Sequence, residues 1–200
     1  MTRRGAAAAL LAAAVLSWTA GAAEVNGAVV PETAAVAGRT LRLSGAAAQN
    51  LLWFQVYSVA LYLERPVASP AEAISSEQPK ALRLTLHRRA SASQIGSALR
   101  DGMRRAGADL AALKPRLDLL LAAIPDMQAG DSLRIDYLPG GGTRFTDRHG
   151  RSLHIEGKDF ADALLGIWLG PSPEMARMRR GLVGERVPRV QARAPAPSRR

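Results

Sequence analysis

TLRLSGAAAQNLLWFQVYSVALYLE, Thr40 to Glu64, decides how the rest of the chain is read. Leu41 and Leu43 alternate with Arg42 and Ser44, the period-two pattern of a half-buried strand. Gly45-Ala46-Ala47-Ala48 then offers almost no side chain. It reads as a small-residue turn, a composition used where backbones or a ligand approach closely. From Leu51 to Leu63 the run is apolar on both faces. Trp53, Tyr57, Val59, Leu61 and Leu63 fall on one side; Phe54, Val56, Ala60 and Tyr62 fall on the other. A strand apolar on both faces is covered on both, so it belongs at the centre of its sheet. Buried polar groups need partners, which singles out Gln49, Gln55, Tyr57 and Ser58.

Outward from this stretch the pattern alternates between strands and helices. Glu24 to Val30 reads as a short first strand ended by Pro31, and Glu32 to Gly38 as a connector. Ser69-Pro70-Ala71-Glu72 has the cap and first-turn proline of a short helix over 70–76. Ala81 to Arg88 alternates cleanly, with Leu82, Leu84 and Leu86 on one face. Ser91 or Ser93 caps a helix running to Ala106, with Ile95, Ala98, Leu99 and Met103 as its apolar stripe and Arg100, Arg104 and Arg105 on its wet side.

Asp109 starts another helix, turning Leu110, Leu113, Leu117, Leu120 and Leu121 inward, with a kink expected at Pro115. Ser132 to Leu138 is a strand, and Thr143 to Thr146 pairs with Ser152 to Glu156 around the turn Asp147–Gly150. Asp159 to Leu169 is apolar on more than one face, hence a buried helix. Pro173 to Leu182 is a last helix. Strands and helices in this order, with few alternating βαβ units, predict an α+β fold: a mostly antiparallel sheet with a layer of helices on one face.

The charge of +10 suggests nucleic acid until it is located. Residues 1–23 carry Arg3 and Arg4, and residues 186–200 carry five arginines with no acid. What remains is 20 Lys+Arg against 17 Asp+Glu, so the folded part is nearly balanced and lacks a nucleic-acid-binding face. Arg3-Arg4, the apolar run Ala6 to Trp18 and the small residues to Ala23 read as a secretory signal peptide, cut after Ala22 or Ala23. A periplasmic or secreted protein follows, with no transmembrane segment after cleavage. The export signal fits the general secretory type better than the twin-arginine type, because Gly5 and the alanines do not complete that pattern. Residues 24–184 form one domain, and 185–200 a disordered basic tail without periodicity.

With no cysteine there is neither disulfide nor thiolate chemistry. His87, His149 and His154 show no metal-ligand spacing, so no metal or other cofactor is expected. No nucleophile elbow is present, and Gly140-Gly141-Gly142 precedes a strand, where it is a hairpin connection rather than a phosphate loop. Asp131, Asp136, Asp147 and Asp159 read as turn, strand-surface and cap residues.

Two blocks resemble the chalcone isomerase-like superfamily. Leu43-Ser44-Gly45-Ala46-Ala47-Ala48-Gln49 and Val56-Tyr57-Ser58-Val59-Ala60-Leu61-Tyr62-Leu63-Glu64 stand where that family has roughly L-N-G-x-G-x-R and K-V-Y-x-A-x-L-Y-L. GDSLRIDYLPGGGTRF from Gly130, FADALLGIWLG from Phe160 and the closing Leu182-Val183-Gly184 match a second block. The resemblance spans about residues 25–184 and implies an open-faced β-sandwich.

It also implies a site. In chalcone isomerases a cation steadies the developing enolate while an apolar pocket holds the substrate. The family arginine is replaced here by Gln49, and the catalytic threonine of the plant enzymes aligns with Tyr57. An amide cannot offset an anionic charge. Tyrosine at the second position resembles the non-catalytic, fatty-acid-binding branch. The resemblance thus implies an exported binder of a small apolar or fatty-acid-like ligand, held between sheet and helices. Gln49 and Tyr57 would be its polar contacts, with Trp53, Tyr137 and Trp168 as walls. Arg42 or Arg144 would be a replacement cation. Two alternatives remain open: an isomerase acting on a chalcone-like substrate, and a structural or partner-binding envelope protein.

Overall fold

In the computed structural model, residues 22–25, 28–51 and 54–184 are described. Most of the expected leader, the basic tail and Trp53 lie outside them. β1 (Ala22–Val25) and β2 (Ala28–Pro31) pair as a two-stranded ribbon where one strand was expected. A seven-stranded antiparallel sheet follows in sequence order: β3 (Thr33–Val36), β4 (Arg39–Leu51), β5 (Phe54–Leu63), β6 (Lys80–Leu86), β7 (Ser132–Leu138), β8 (Gly142–Thr146) and β9 (Ser152–Ile155). The α+β expectation is met: an antiparallel sheet carries α1 (Pro70–Ser75), α2 (Ala92–Arg105), α3 (Leu110–Ala123), α4 (Lys158–Leu169) and α5 (Ala176–Leu182).

β5 sits between β4 and β6, as its two apolar faces require. Val59, Leu61 and Leu63 enter the main core beside Met103, Leu120, Phe160, Leu164 and Trp168. Ala60 and Tyr62 point the other way, into a smaller cluster with Val36, Leu41 and Ala81. The Tyr62 hydroxyl donates to the Pro31 carbonyl at 3.0 Å, so the N-terminal segment covers part of that outer face.

Two expectations at the amino end are corrected. Gly45–Ala48 is not a turn; it lies inside β4, and the chain reverses after Leu51. The residues are small because α5 rests on them. A Cβ on Gly45 would stand 2.1 Å from the Gly181 carbonyl oxygen, and one on Gly181 would stand 2.9 Å from the Ala47 Cβ. The supposed connector at 32–38 contains β3, whose short alternation Thr33-Ala34-Ala35-Val36 is too weakly apolar to announce an edge strand.

The helices start where their caps stand. Ser69 accepts from the Glu72 amide, Ser91 forms a capping box with Gln94, and Asp109 accepts from the Ala111 and Ala112 amides. The buried stripe of α2 is Gly96, Leu99, Gly102 and Met103, whereas Ala98 is exposed. The two glycines, absent from the expected stripe, let α2 approach its neighbours: a Cβ on Gly102 would stand 2.8 Å from Ile167 Cγ2. α3 continues through Pro115, and the last helix begins as a 3-10 turn at Pro173–Met175. No helix among the described residues is long and apolar enough to cross a membrane.

Candidate functional site

Tyr57 pairs with Gln49 on β4 and with Leu86 on β6. Residues directly opposite in an antiparallel pair share a face, and Tyr57 packs against the main core, so Gln49 joins it on the helix side. The last turn of α4 delivers Trp168 to the same place. Its buried indole N–H donates to the Tyr57 hydroxyl at 3.3 Å. The structure therefore brings Gln49, Tyr57 and Trp168 together.

A fourth group completes the constellation. Burial raises the pKa of Tyr57, opposed by the Trp168 N–H and then by the positive charge of Arg105. Arg105 closes α2, and its Nε lies 3.6 Å from a carboxylate oxygen of Glu174. The cation is thus helical. Arg144 stands on β8, three strands from β5, and Arg42 pairs with Leu63, six positions along β5 from Tyr57 or about 20 Å. The sequence placed Arg105 on the wet side of its helix. The signal available was that it follows Leu99 and Gly102 by six and three residues, which puts it at the border of the buried face.

Tyr137 is elsewhere. It pairs with Lys80, which pairs with Leu63, so it too is about 20 Å along the strands from Tyr57. Its hydroxyl donates to Glu77 Oε2 at 3.0 Å, and burial with that carboxylate pushes its pKa up to about 12. Lys80 Nζ lies 5.3 Å from the ring centroid of Tyr137 and donates to the Ile74 carbonyl. The void here, between β6, β7 and α4, measures about 10 Å³, roughly one water's space. A larger cleft of about 520 Å³ opens on the opposite face of the sheet, under Val30–Ala35.

The aspartates are structural with one correction in placement. Asp147 accepts from the amides of His149 and Arg151 and pins the β8–β9 turn. Asp159 takes both guanidinium nitrogens of Arg116 at 2.7 and 2.6 Å, tying α3 to α4. Asp136 is buried rather than on the strand surface, because Arg83 bonds it at 2.5 Å. Among the described residues no group of three or more His, Asp or Glu is placed to hold a metal ion.

Around Tyr57 the chemistry is that of a holder of oxygen atoms. Its raised pKa keeps the phenol protonated at neutral pH, so it donates and is no base. The oxygen lone pair is engaged by Trp168, while among the described residues nothing accepts the hydroxyl proton. That free O–H, the Gln49 amide and the Arg105 charge suit a carboxylate or a carbonyl oxygen.

A sheet curled over helices in this order, with the polar pair facing each other across its two long strands β4 and β5, defines an open-faced β-sandwich. The family model described as chalcone isomerase-like matches residues 22–184, and the chain belongs to that family. A solved fatty-acid binding protein from Arabidopsis thaliana shares the fold. The two are 14% identical with a TM-score of 0.61, over 78% of this chain and 92% of that one. No curated protein matches the chain.

Proposed function

We propose that this protein binds a small apolar or fatty-acid-like ligand without transforming it. The acid end meets Tyr57, Gln49 and Arg105, and the body lies between sheet and helices against Trp168. The observation that carries this reading is the Tyr57 hydroxyl, oriented by the Trp168 indole and left with an unspent proton. Support comes from family membership and from the fatty-acid binding protein of the same fold. Among the described residues Leu119 is the exposed large hydrophobic side chain, and a single one makes no docking patch. That gives the partner-binding alternative no surface on these residues.

Titration calorimetry with a panel of saturated fatty acids tests the proposal. Tyr57→Phe and Arg105→Gln are each expected to weaken binding about tenfold, the loss of one hydrogen bond or one charge partner. Affinities unchanged in both variants overturn it. Arg105 also favours a second reading, since it restores near Tyr57 the positive charge that Gln49 lacks: isomerisation of a chalcone-like substrate. Loss of chalcone absorbance faster than in buffer, slowed by the same two variants, would support turnover over simple holding.

A further inference from the structure

The cleft on the outer face has its own chemistry. Successive residues of a strand point to opposite faces, so Ser58 turns away from the face that carries Tyr57. Register then sets Ser58 opposite Thr85, and Thr85 opposite Ser132. This lays three hydroxyls in a row across β5, β6 and β7. All three line the cleft, and among the described residues none of the three side chains has a hydrogen-bond partner. The next row in register is Ala60, Arg83 and Arg134.

Those two arginines share one carboxylate. Arg83 bonds Asp136 Oδ1 at 2.5 Å, and Arg134 reaches Oδ2 at 3.4 Å, so one positive charge is left over. Arg83 is held in place by Asp136, the Leu82 carbonyl and the Tyr62 ring, 5.9 Å away. Arg134 is half exposed at 48% and has donors to spare. Much of the remaining lining of the cleft is apolar, including Val30, Ala34, Ala46 and Ala60. Its volume of about 520 Å³ falls in the range of small-ligand sites, roughly 300–1,000 Å³.

We propose that this cleft is a second ligand site, on the face of the sheet away from Tyr57, and that it takes an amphipathic carboxylic acid. The carboxylate sits on Arg134 and the Ser58–Thr85–Ser132 row with Arg83 behind it. The apolar body lies beneath β2 and β3. A bare inorganic anion leaves the alanine wall uncovered, and an uncharged lipid leaves the extra arginine charge unanswered. The inference stands apart from the Tyr57 reading, because the two sites lie on opposite sides of one sheet.

Amide chemical-shift mapping of the full chain with sodium decanoate, and with 1-decanol as the uncharged probe, separates the possibilities. Decanoate is expected to shift the amides of Ala34, Ser58, Thr85 and Ser132 saturably, with decanol at least tenfold weaker. Arg134→Glu removes the spare charge, and Ala34→Phe fills the cleft; each is expected to weaken decanoate at these amides tenfold or more. Shifts confined to the neighbourhood of Tyr57 and Trp168 overturn the outer site while leaving the helix-side site standing. Decanol binding as tightly as decanoate also overturns it, as does wild-type affinity in both variants with their circular dichroism intact.

Discussion

Gln49 stands where a guanidinium would make the sheet itself the source of positive charge. The positive charge that acts on Tyr57 comes instead from a helix, from Arg105 at the end of α2, whose guanidinium also meets Glu174 at 3.6 Å. Lys80 shows the same dependence of chemistry on surroundings. Burial lowers its pKa to about 8, with the Lys158 charge adding to the effect and Asp162 and Glu77 opposing it. An unfolded lysine keeps its proton to about pH 10.4. Between pH 8 and 10 the unfolded chain therefore binds more protons at this site than the folded one, and stability rises with pH.

Tyr137 acts with the opposite sign. Its pKa of about 12, against about 10 unfolded, means that stability from this group is whole below pH 10 and is lost as pH climbs toward 12. Urea midpoints are expected to rise from pH 8 to 10 in the native protein. In Lys80→Met that rise should be absent; a slope of the same size in the variant would show that Lys80 is not its source.

Among the elements, β4 and α5 depend most on the absence of side chains. A methyl on Gly45 meets the backbone of Gly181 and Leu182, which cannot swing away as a side chain can. Gly45→Ala is expected to lower stability by about 2–3 kcal/mol, the upper part of the range for overpacking. Gly102→Ala meets the Ile167 side chain rather than the backbone of a neighbouring element, and its cost should be nearer 1 kcal/mol. Urea denaturation of the two variants checks the order, and equal costs would mean that α5 shifts freely over the sheet.

For the whole molecule, the two faces of the sheet carry unequal weight. Among the described residues the buried side chains of the main core run from Val59 to Leu182. The outer cluster is smaller and leans on Val30 and on the Tyr62–Pro31 hydrogen bond. Removing residues 1–31 is expected to leave a cooperatively unfolding domain with its helical circular dichroism. Its stability should fall by about 2–3 kcal/mol, one hydrogen bond plus the burial of a valine-sized side chain. Loss of cooperative unfolding would place the ribbon within the core structure.

The periodicity of apolar residues, the caps at Ser69, Ser91 and Asp109, and the two apolar faces of β5 are local, and they made the sheet-and-helix architecture legible in the sequence. The resemblance set Gln49 beside Tyr57, whereas reading Gly45–Ala48 as a turn hid that Gln49 belongs to β4 and pairs with Tyr57 across the β4–β5 hairpin. Only the tertiary structure could show that Gly45–Ala48 is a seat for α5, that Trp168 donates to Tyr57, that Tyr137 lies elsewhere and that the charge of Arg105 acts on Tyr57. Each of these depends on partners 48 or more residues apart in sequence. Period and propensity report which side of an element faces inward, while the identity of what it meets there is set by how helices cross the sheet.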